Sequence, residues 1–281
     1  MDRRPFGPTG ASVVRIGLGT WQMEGDDRKG CVAALRAGLD AGMTHVDTAE
    51  LYGSGSVETI VADAIEGRRE QIFLVSKVLP SQASKRGTIV ACEKSLARLR
   101  SDRLDCYLLH WPGSHPLEET IAGFEALREA GKIRAWGVSN FDEEELARAL
   151  AIAGPGKIAC NQVLYHLAER AIEHAVVPFC EKHGIAVVGY TPFGTGAFPP
   201  GGTRGSETLK RVADKHGASV RQVTLAFLTR RPSFFAIPKS AQASHTLDNA
   251  GAGSLVLDAA DEAAIDAAFP LGRRRRGVPT L

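Results

Sequence analysis

The feature that most constrains this chain is an eightfold alternation of short apolar runs with longer amphipathic stretches along its 281 residues. The short runs are rich in β-branched residues, as expected of strands buried on both faces, and the longer stretches have helical spacing. The predicted strands cover residues 15–20, 43–48, 72–77, 104–110, 133–140, 157–165, 185–192 and 234–240. The predicted helices cover residues 28–41, 57–66, 84–99, 117–130, 143–153, 171–183, 207–216, 220–229 and 259–268.

Strand–helix repeats at intervals of about 25–35 residues favour a closed parallel barrel over an open sheet. An open dinucleotide-binding sheet needs a G-x-G-x-x-G turn, and neither glycine pair, at 17 and 19 or at 53 and 55, completes one. We therefore expect an α/β fold, a single (β/α)8 TIM barrel domain over residues 1–281. Residues 3–14 would form an N-terminal hairpin on the barrel floor, and an extra helix and a tail would follow the barrel.

The boundaries of several predicted helices are marked by residues that favour helix ends. Gly42, Gly131 and Gly184 each follow a predicted helix, where a left-handed residue commonly ends it. Asp142 and Glu145 have the spacing of a capping box before the helix at 143.

The composition disfavours several classes of function. A net charge of +2 is too small to favour nucleic acid or a membrane surface as a partner. The five cysteines are an odd number without C-x-x-C spacing, which disfavours a disulfide framework or a thiolate metal site and fits a reducing compartment. No stretch resembles a signal peptide or a transmembrane helix, so we expect a cytoplasmic protein. The basic run at 273–276 is interpreted as a solvated tail, with contact to an anionic ligand as the alternative.

Polar side chains stand where the predicted strands end. Because the active site of a TIM barrel lies at the carboxyl ends of its strands, these side chains should share one rim. They are Asp47, Lys77, His110, Asn140, Gln162, Tyr190 and Lys239. Asp47, Lys77 and His110 end neighbouring strands, and Tyr52 lies in the loop after Asp47, so the four side chains are expected to converge.

Taken singly, each of the four residues has a structural interpretation: Asp47 as a helix cap, Lys77 reaching solvent, Tyr52 and His110 as packed core residues. Their convergence has a chemical use. A tyrosine with an ordinary pKa of about 10 is a poor acid at neutral pH, and an adjacent ammonium is expected to lower that pKa. Asp47 would hold Lys77 charged, and His110 would orient a carbonyl oxygen. No activated nucleophile is present, and no H-x-H or H-E-x-x-H spacing indicates a metal.

The sequence resembles the aldo-keto reductase family over nearly its whole length. The matching stretches are GLGTW (17–21), DTAELYG (47–53), VSK (75–77), LLHWP (108–112), GVSNF (137–141), NQVLYH (161–166), YTPFG (190–194) and IPKS (237–240). The resemblance implies a nicotinamide-dependent reductase that converts aldehydes or ketones to alcohols, with NADPH as cofactor, NADH as a possible substitute and no metal. It implies a monomer that takes a small carbonyl compound.

The resemblance also implies a role for each matching residue. The catalytic residues would be Asp47, Tyr52 as the general acid, Lys77 and His110. The cofactor would contact Thr20, Asp47, Ser139, Asn140, Gln162, Tyr190, Thr191, Pro192, Phe193, Gly194, Thr195, Ile237, Pro238, Lys239, Ser240, His245, Asp248 and Asn249. The substrate would contact Trp21, Tyr52, Leu79, His110 and Trp111.

Two positions depart from the family pattern. Members that prefer NADPH usually carry an arginine where this chain has His245, and a neutral imidazole cannot form the forked hydrogen bonds of a guanidinium with phosphate. Leu79 replaces a frequent aromatic, and the tail is short, so we expect a shallow pocket for small aldehydes or dicarbonyls, closest to bacterial methylglyoxal-type members. The alternatives are a cofactor-binding sensor with weak catalysis and a non-redox barrel.

Overall fold

The structure is a computed structural model, and it describes residues 1–195, 198, 202–274 and 276–281. A two-stranded antiparallel hairpin, β1 (Arg3–Pro5) and β2 (Ser12–Val14), comes first. Eight parallel strands follow in sequential order: β3 (Leu18–Gly19), β4 (His45–Asp47), β5 (Phe73–Val78), β6 (Leu104–Leu109), β7 (Ile133–Ser139), β8 (Ile158–Leu164), β9 (Ala186–Tyr190) and β10 (Phe234–Ala236).

The sheet closes on itself between its first and last strands. Parallel bridges join Ile16 to Ala236 and Gly19 to Lys239, and the Gly17 amide donates to the Ala236 carbonyl at 2.8 Å. The prediction of a (β/α)8 barrel is therefore confirmed. All carboxyl ends of β3–β10 meet at one rim, which we call the mouth; the opposite rim is the floor.

The described residues contain ten α-helices. They are α1 (Arg28–Asp40), α2 (Ser56–Ile65), α3 (Lys85–Leu99), α4 (Leu117–Glu129), α5 (Glu143–Ala153), α6 (Val176–His183), α7 (Arg204–His216), α8 (Val220–Leu228), α9 (Ala243–Gly251) and α10 (Ala259–Ala268). The capping box of Asp142 and Glu145 is present, and Gly42, Gly131 and Gly184 have positive φ angles, as predicted. Residues 171–183 split into a 3-10 turn and α6, and α9 was not predicted.

The N-terminal hairpin covers the barrel floor, as expected. Phe6 is fully buried, and its ring lies 4.7 Å from that of Phe73 and 5.0 Å from that of Phe235. Gly7 has a φ of +54°, and a Cβ there would lie 2.1 Å from the Ala159 carbonyl oxygen. The hairpin backbone thus sits directly on β8 and seals this end of the barrel.

The C-terminal segment is held to the barrel wall by polar contacts. Arg170 pairs with Asp266 at 2.7 Å and donates to the Phe269 carbonyl at 2.8 Å. Arg274, in the predicted basic run, pairs with Glu143 at 2.6 Å; Arg275 of that run lies outside the described residues. Within the described part of the chain, no helix has the length and apolarity needed to cross a bilayer.

Candidate active site

Lys77 is the centre of the polar cluster at the mouth, and it is completely buried. Its ammonium donates to Asp47 Oδ1 at 2.6 Å, to the Thr48 carbonyl at 2.9 Å and to the Tyr52 hydroxyl at 3.1 Å. Burial lowers the pKa of Lys77, but the attraction of Asp47 and Tyr52 outweighs burial and holds the pKa above its ordinary value. Since all three N–H donors have acceptors, Lys77 is an ammonium ion locked in one position.

Asp47 ends β4 and is held by two side chains. Its Oδ1 accepts from Lys77, and its Oδ2 accepts from Gln162 Nε2 at 2.8 Å. The Thr20 hydroxyl donates to the Asp47 backbone carbonyl at 2.8 Å. Burial raises the pKa of the Asp47 carboxyl, while the charge and hydrogen bond of Lys77 act in the opposite direction. The result is a carboxylate that fixes both Lys77 and Gln162.

Tyr52 begins a 3-10 turn whose next residues, Gly53 and Ser54, have left-handed backbone angles. This turn brings the phenol over Lys77, with Nζ 4.9 Å from the ring centroid. Burial raises the pKa of Tyr52, and Lys77 opposes that effect without cancelling it. The pKa therefore lies above its ordinary value, contrary to the expectation from sequence, because burial of the phenol outweighs the nearby charge. Tyr52 is a neutral phenol at pH 7.

His110 follows β6 and faces Tyr52, with ring centroids 5.8 Å apart. Burial, and secondarily the charge of Lys77, lowers the pKa of His110 to about 2. Its Nδ1 is buried without a hydrogen-bond partner in the described part of the chain. The imidazole is therefore neutral, and one of its nitrogens carries a proton that it can share with a ligand.

Three further polar residues form a chain across the strand ends. The Ser139 hydroxyl donates to the Gln162 carbonyl at 2.8 Å. Asn140 has a φ of +60°, donates to the His110 carbonyl at 3.1 Å and accepts from the Tyr190 hydroxyl at 2.9 Å. The amide of Asn140 thus ties β6, β7 and β9 together at the mouth.

These side chains line one cavity with a volume of about 1060 Å³. The lining includes seventeen of the residues predicted to bind cofactor or substrate: Thr20, Trp21, Asp47, Tyr52, His110, Trp111, Ser139, Asn140, Gln162, Tyr190, Thr191, Pro192, Phe193, Gly194, Thr195, Ile237 and Lys239. The described lining does not include Leu79, Pro238, Ser240, His245, Asp248 or Asn249.

Leu79 is not among the described residues that line the cavity, so its contact with substrate stays a prediction. It is half-buried, and its amide donates to Glu50 Oε1 at 2.7 Å at the start of the 3-10 turn Pro80–Gln82. This hydrogen bond fixes the backbone directly after β5.

The C-terminal tail lines the cavity instead, which the sequence did not indicate. Gly277, Val278, Thr280 and Leu281 are lining residues, together with Leu51, Asp142 and Glu145. The tail is short, but its path from α10 returns it to the mouth. The expectation of a shallow pocket was based on Leu79 and on the length of the tail, and it did not take this path into account.

The remaining predicted cofactor residues lie on or near α9. Gln222 Nε2 donates to both the backbone carbonyl and Oδ1 of Asp248 at 3.0 Å. Asn249 is buried, and its Oδ1 has no hydrogen-bond partner within the described residues. His245 is exposed. In the described residues, no group of three or more His, Cys, Asp or Glu side chains could hold a metal ion.

A closed parallel barrel whose mouth holds an ion pair, a phenol and a neutral imidazole around one cavity is the architecture of a barrel enzyme. The chain belongs to the aldo/keto reductase family, whose model matches residues 15–269. It is 42% identical over 261 residues to the methylglyoxal reductase YeaE of Escherichia coli strain K12, with 92% of each chain covered.

Two other comparisons agree with this assignment. The chain is 33% identical over 264 residues to a glyoxal reductase of Bacillus subtilis strain 168, covering 92% of this chain and 90% of the relative. A crystal structure of an aldo/keto reductase from Klebsiella pneumoniae, in complex with NADP and acetate, has a TM-score of 0.93, 42% identity and 100% coverage of both chains.

Proposed function

We propose that this protein reduces small aldehydes and dicarbonyl compounds to alcohols with NADPH, and that Tyr52 is the proton donor. The observation that carries the proposal is the set of hydrogen bonds made by Lys77. Its ammonium donates to the phenol oxygen at 3.1 Å, so the hydroxyl proton of Tyr52 is not used in that contact. No described acceptor takes this proton, and the phenol lines the cavity, where a carbonyl oxygen can receive it.

The residues present fit a nicotinamide dinucleotide, which supplies a hydride to the carbonyl carbon when bound. The cavity contains amide side chains of Asn140 and Gln162, a tyrosine ring at 190 and the ammonium of Lys239. On α9, the buried and unpartnered Asn249 Oδ1 is an acceptor suited to an amine of a base. The Klebsiella pneumoniae relative crystallised with NADP supports this choice of cofactor.

The protein groups would act in a fixed order around the carbonyl oxygen. A neutral His110 donates an N–H to the oxygen and orients it toward Tyr52. As negative charge develops on the oxygen, Tyr52 transfers its proton there. The phenolate that remains is stabilised by Lys77, whose own charge is held by Asp47. A raised pKa keeps Tyr52 protonated until that moment, and the fixed ammonium supplies the stabilisation when it is needed.

The proposed substrates follow from the walls of the cavity and from the relatives. Trp21 and Trp111 are partly exposed at the mouth, and the tail contributes Val278 and Leu281. Such walls suit a small, mostly apolar carbonyl compound. The named relatives include a methylglyoxal reductase and a glyoxal reductase, which supports dicarbonyls. We propose that the protein acts as a monomer, the state that the family resemblance implies, and five free buried cysteines are consistent with a reducing compartment.

The test is a screen that follows the loss of reduced-nicotinamide absorbance with small aldehydes, dicarbonyls, ketoses and steroids. Tyr52→Phe removes one hydroxyl and keeps the ring. We expect kcat to fall by about 10²–10⁴-fold, the usual contribution of a general acid, while the Kd of NADPH stays within about twofold.

Two outcomes would overturn the proposal. Full activity of Tyr52→Phe would remove Tyr52 as the acid and make His110 the next candidate. Cofactor binding without turnover of any carbonyl compound would leave a binding protein in place of a reductase.

A further inference from the structure

Lys239 lines the cavity, and its charge is already engaged by a carboxylate. Its ammonium lies 2.5 Å from Asp26 Oδ2, and both side chains are about one-third exposed, at 32% and 35%. No other described group is bonded to the Lys239 ammonium. Asp26 comes from the loop after β3 and Lys239 from the loop after β10, so the ion pair spans the seam where the barrel closes.

The backbone on both sides of this ion pair is well anchored. Gly19 and Lys239 form a parallel bridge at the seam. The Asp26 amide donates to the Met23 carbonyl at 3.2 Å, and Asp27 caps α1 by accepting from the Gly30 amide at 2.7 Å. Hydrogen bonds of the local backbone therefore hold Asp26 beside Lys239.

We propose that Asp26 determines how strongly this protein prefers NADPH to NADH, by competing for Lys239. This inference rests on the proposed function. A phosphate on the adenosine ribose must displace Asp26 from the Lys239 ammonium or share the ammonium with it, so the phosphate gains less attraction from Lys239. A ribose hydroxyl carries no charge and can donate to the same carboxylate. Asp26 therefore weakens NADPH binding and does not weaken NADH binding.

His245 strengthens this argument because it provides no second permanent cation. An exposed imidazole replaces the guanidinium that could form forked hydrogen bonds with a phosphate. Phosphate recognition would then depend largely on Lys239. Any group that shares Lys239 has a larger effect on cofactor choice than it would in a site with two cations.

The experiment measures the Kd of NADPH and of NADH by cofactor fluorescence for wild type and for Asp26→Asn, an isosteric change at a partly exposed position. We expect the Kd of NADPH to fall about tenfold and the Kd of NADH to stay equal or rise, because Lys239 is then free to pair with the phosphate. The matched control is Glu24→Gln. It removes the same charge from the same loop, and no contact joins Glu24 to Lys239 among the described residues, so the ratio should change less than twofold.

A second pair of variants tests whether Asp26 acts through Lys239. In a Lys239→Met background, Asp26→Asn should no longer change the NADPH-to-NADH ratio. An unchanged ratio in Asp26→Asn, an equal change for both cofactors, or an effect that persists in Lys239→Met would each overturn the inference. The experiment measures cofactor binding and does not depend on turnover. If Asp26→Asn changes the NADPH-to-NADH ratio in a protein that reduces no carbonyl compound, the inference about Asp26 stands and the proposed reductase function is rejected. A wild type that binds neither cofactor would reject both.

Discussion

The two ends of the barrel contain the same kinds of buried group. At the mouth are the Asp47–Lys77 ion pair and His110; near the floor are the Asp105–Arg69 ion pair, at 2.8 Å, and His45. Burial and the charge of Lys77 lower the pKa of both histidines, His45 to about 3 and His110 to about 2. Burial and perturbed titration therefore do not separate the candidate active site from the structural end of the barrel.

The two ends differ in whether their polar groups line the cavity. Near the floor, the Asp105 carboxylate accepts from Arg69 and the Leu74 amide and forms an ion pair with Arg134, all within the protein. At the mouth, one donor of Lys77 goes to a phenol that opens on the cavity. A perturbed group is a sign of function only where it keeps an unused proton or lone pair that a ligand can reach.

The largest expected effect comes from breaking the ion pair at each end. Lys77→Met should lower kcat by roughly 10²–10³-fold, because the phenolate loses its stabilising charge. It should also destabilise the fold by about 3–5 kcal/mol, because Asp47 stays buried without its partner. Steady-state kinetics with a small aldehyde and denaturant unfolding measure the two effects separately.

Arg69→Met is the matched variant near the floor. It removes a cation from a buried carboxylate, so it should destabilise the fold, by less than Lys77→Met since Arg134 still contacts Asp105 at 3.1 Å. Its kcat should stay within about twofold of wild type. A Lys77→Met protein that keeps wild-type kcat, or an Arg69→Met protein that loses it while folded, would contradict the comparison.

The next effect in size separates the two histidines. His110→Phe should lower kcat by about 10²-fold, the usual cost of removing one donor to a developing oxyanion. His45→Phe should leave kcat within about twofold, because the His45 ring packs against three aromatic rings near the floor and is not among the residues that line the cavity. Steady-state kinetics of both variants, at equal concentrations of folded protein, measure the two kcat values. Equal losses of kcat would mean that the floor and the mouth are coupled in catalysis.

Much of the fold could be predicted because the strands carry their own signal. Runs of β-branched residues that follow helix ends marked by glycine can be recognised as strands without knowledge of tertiary contacts. Helix α9 could not be predicted, because Ser244, Asp248 and Asn249 are weak helix formers. It forms against α1, where a Cβ on Gly38 would lie 2.8 Å from Thr246 Cγ2, so close packing and not local preference stabilises it.

The residues of the predicted site also divide into those with a local sequence signal and those that depend on tertiary structure. Residues at or near the carboxyl end of a strand, such as Gln162 and Tyr190, line the cavity as expected. The tail residues and the Asp26–Lys239 pair have no local pattern, since they meet only after the barrel closes. The direction of the Tyr52 pKa was also wrong from sequence, because the extent of burial depends on the whole mouth and not on the neighbouring charge alone.

The last expected effect is on the pH dependence of stability, and it isolates His45 at the floor. In the unfolded chain a histidine takes up a proton near its ordinary pKa of about 6.5, whereas burial keeps folded His45 neutral down to about pH 3. The unfolded state therefore binds more protons in this range. Stability falls as the pH drops from about 6.5 toward 3, by up to about 1.4 kcal/mol per pH unit for this residue.

His45→Phe removes that titration while keeping a ring among Phe6, Phe73 and Phe235. Urea unfolding at several pH values between neutrality and mild acid should show a shallower loss of stability for this variant. Any packing cost of the larger ring is the same at every pH. The result is therefore read from the slope of the unfolding free energy against pH and not from its absolute value. Parallel slopes for His45→Phe and wild type would show that His45 takes up its proton in the folded barrel, and that the hairpin does not seal the floor against water.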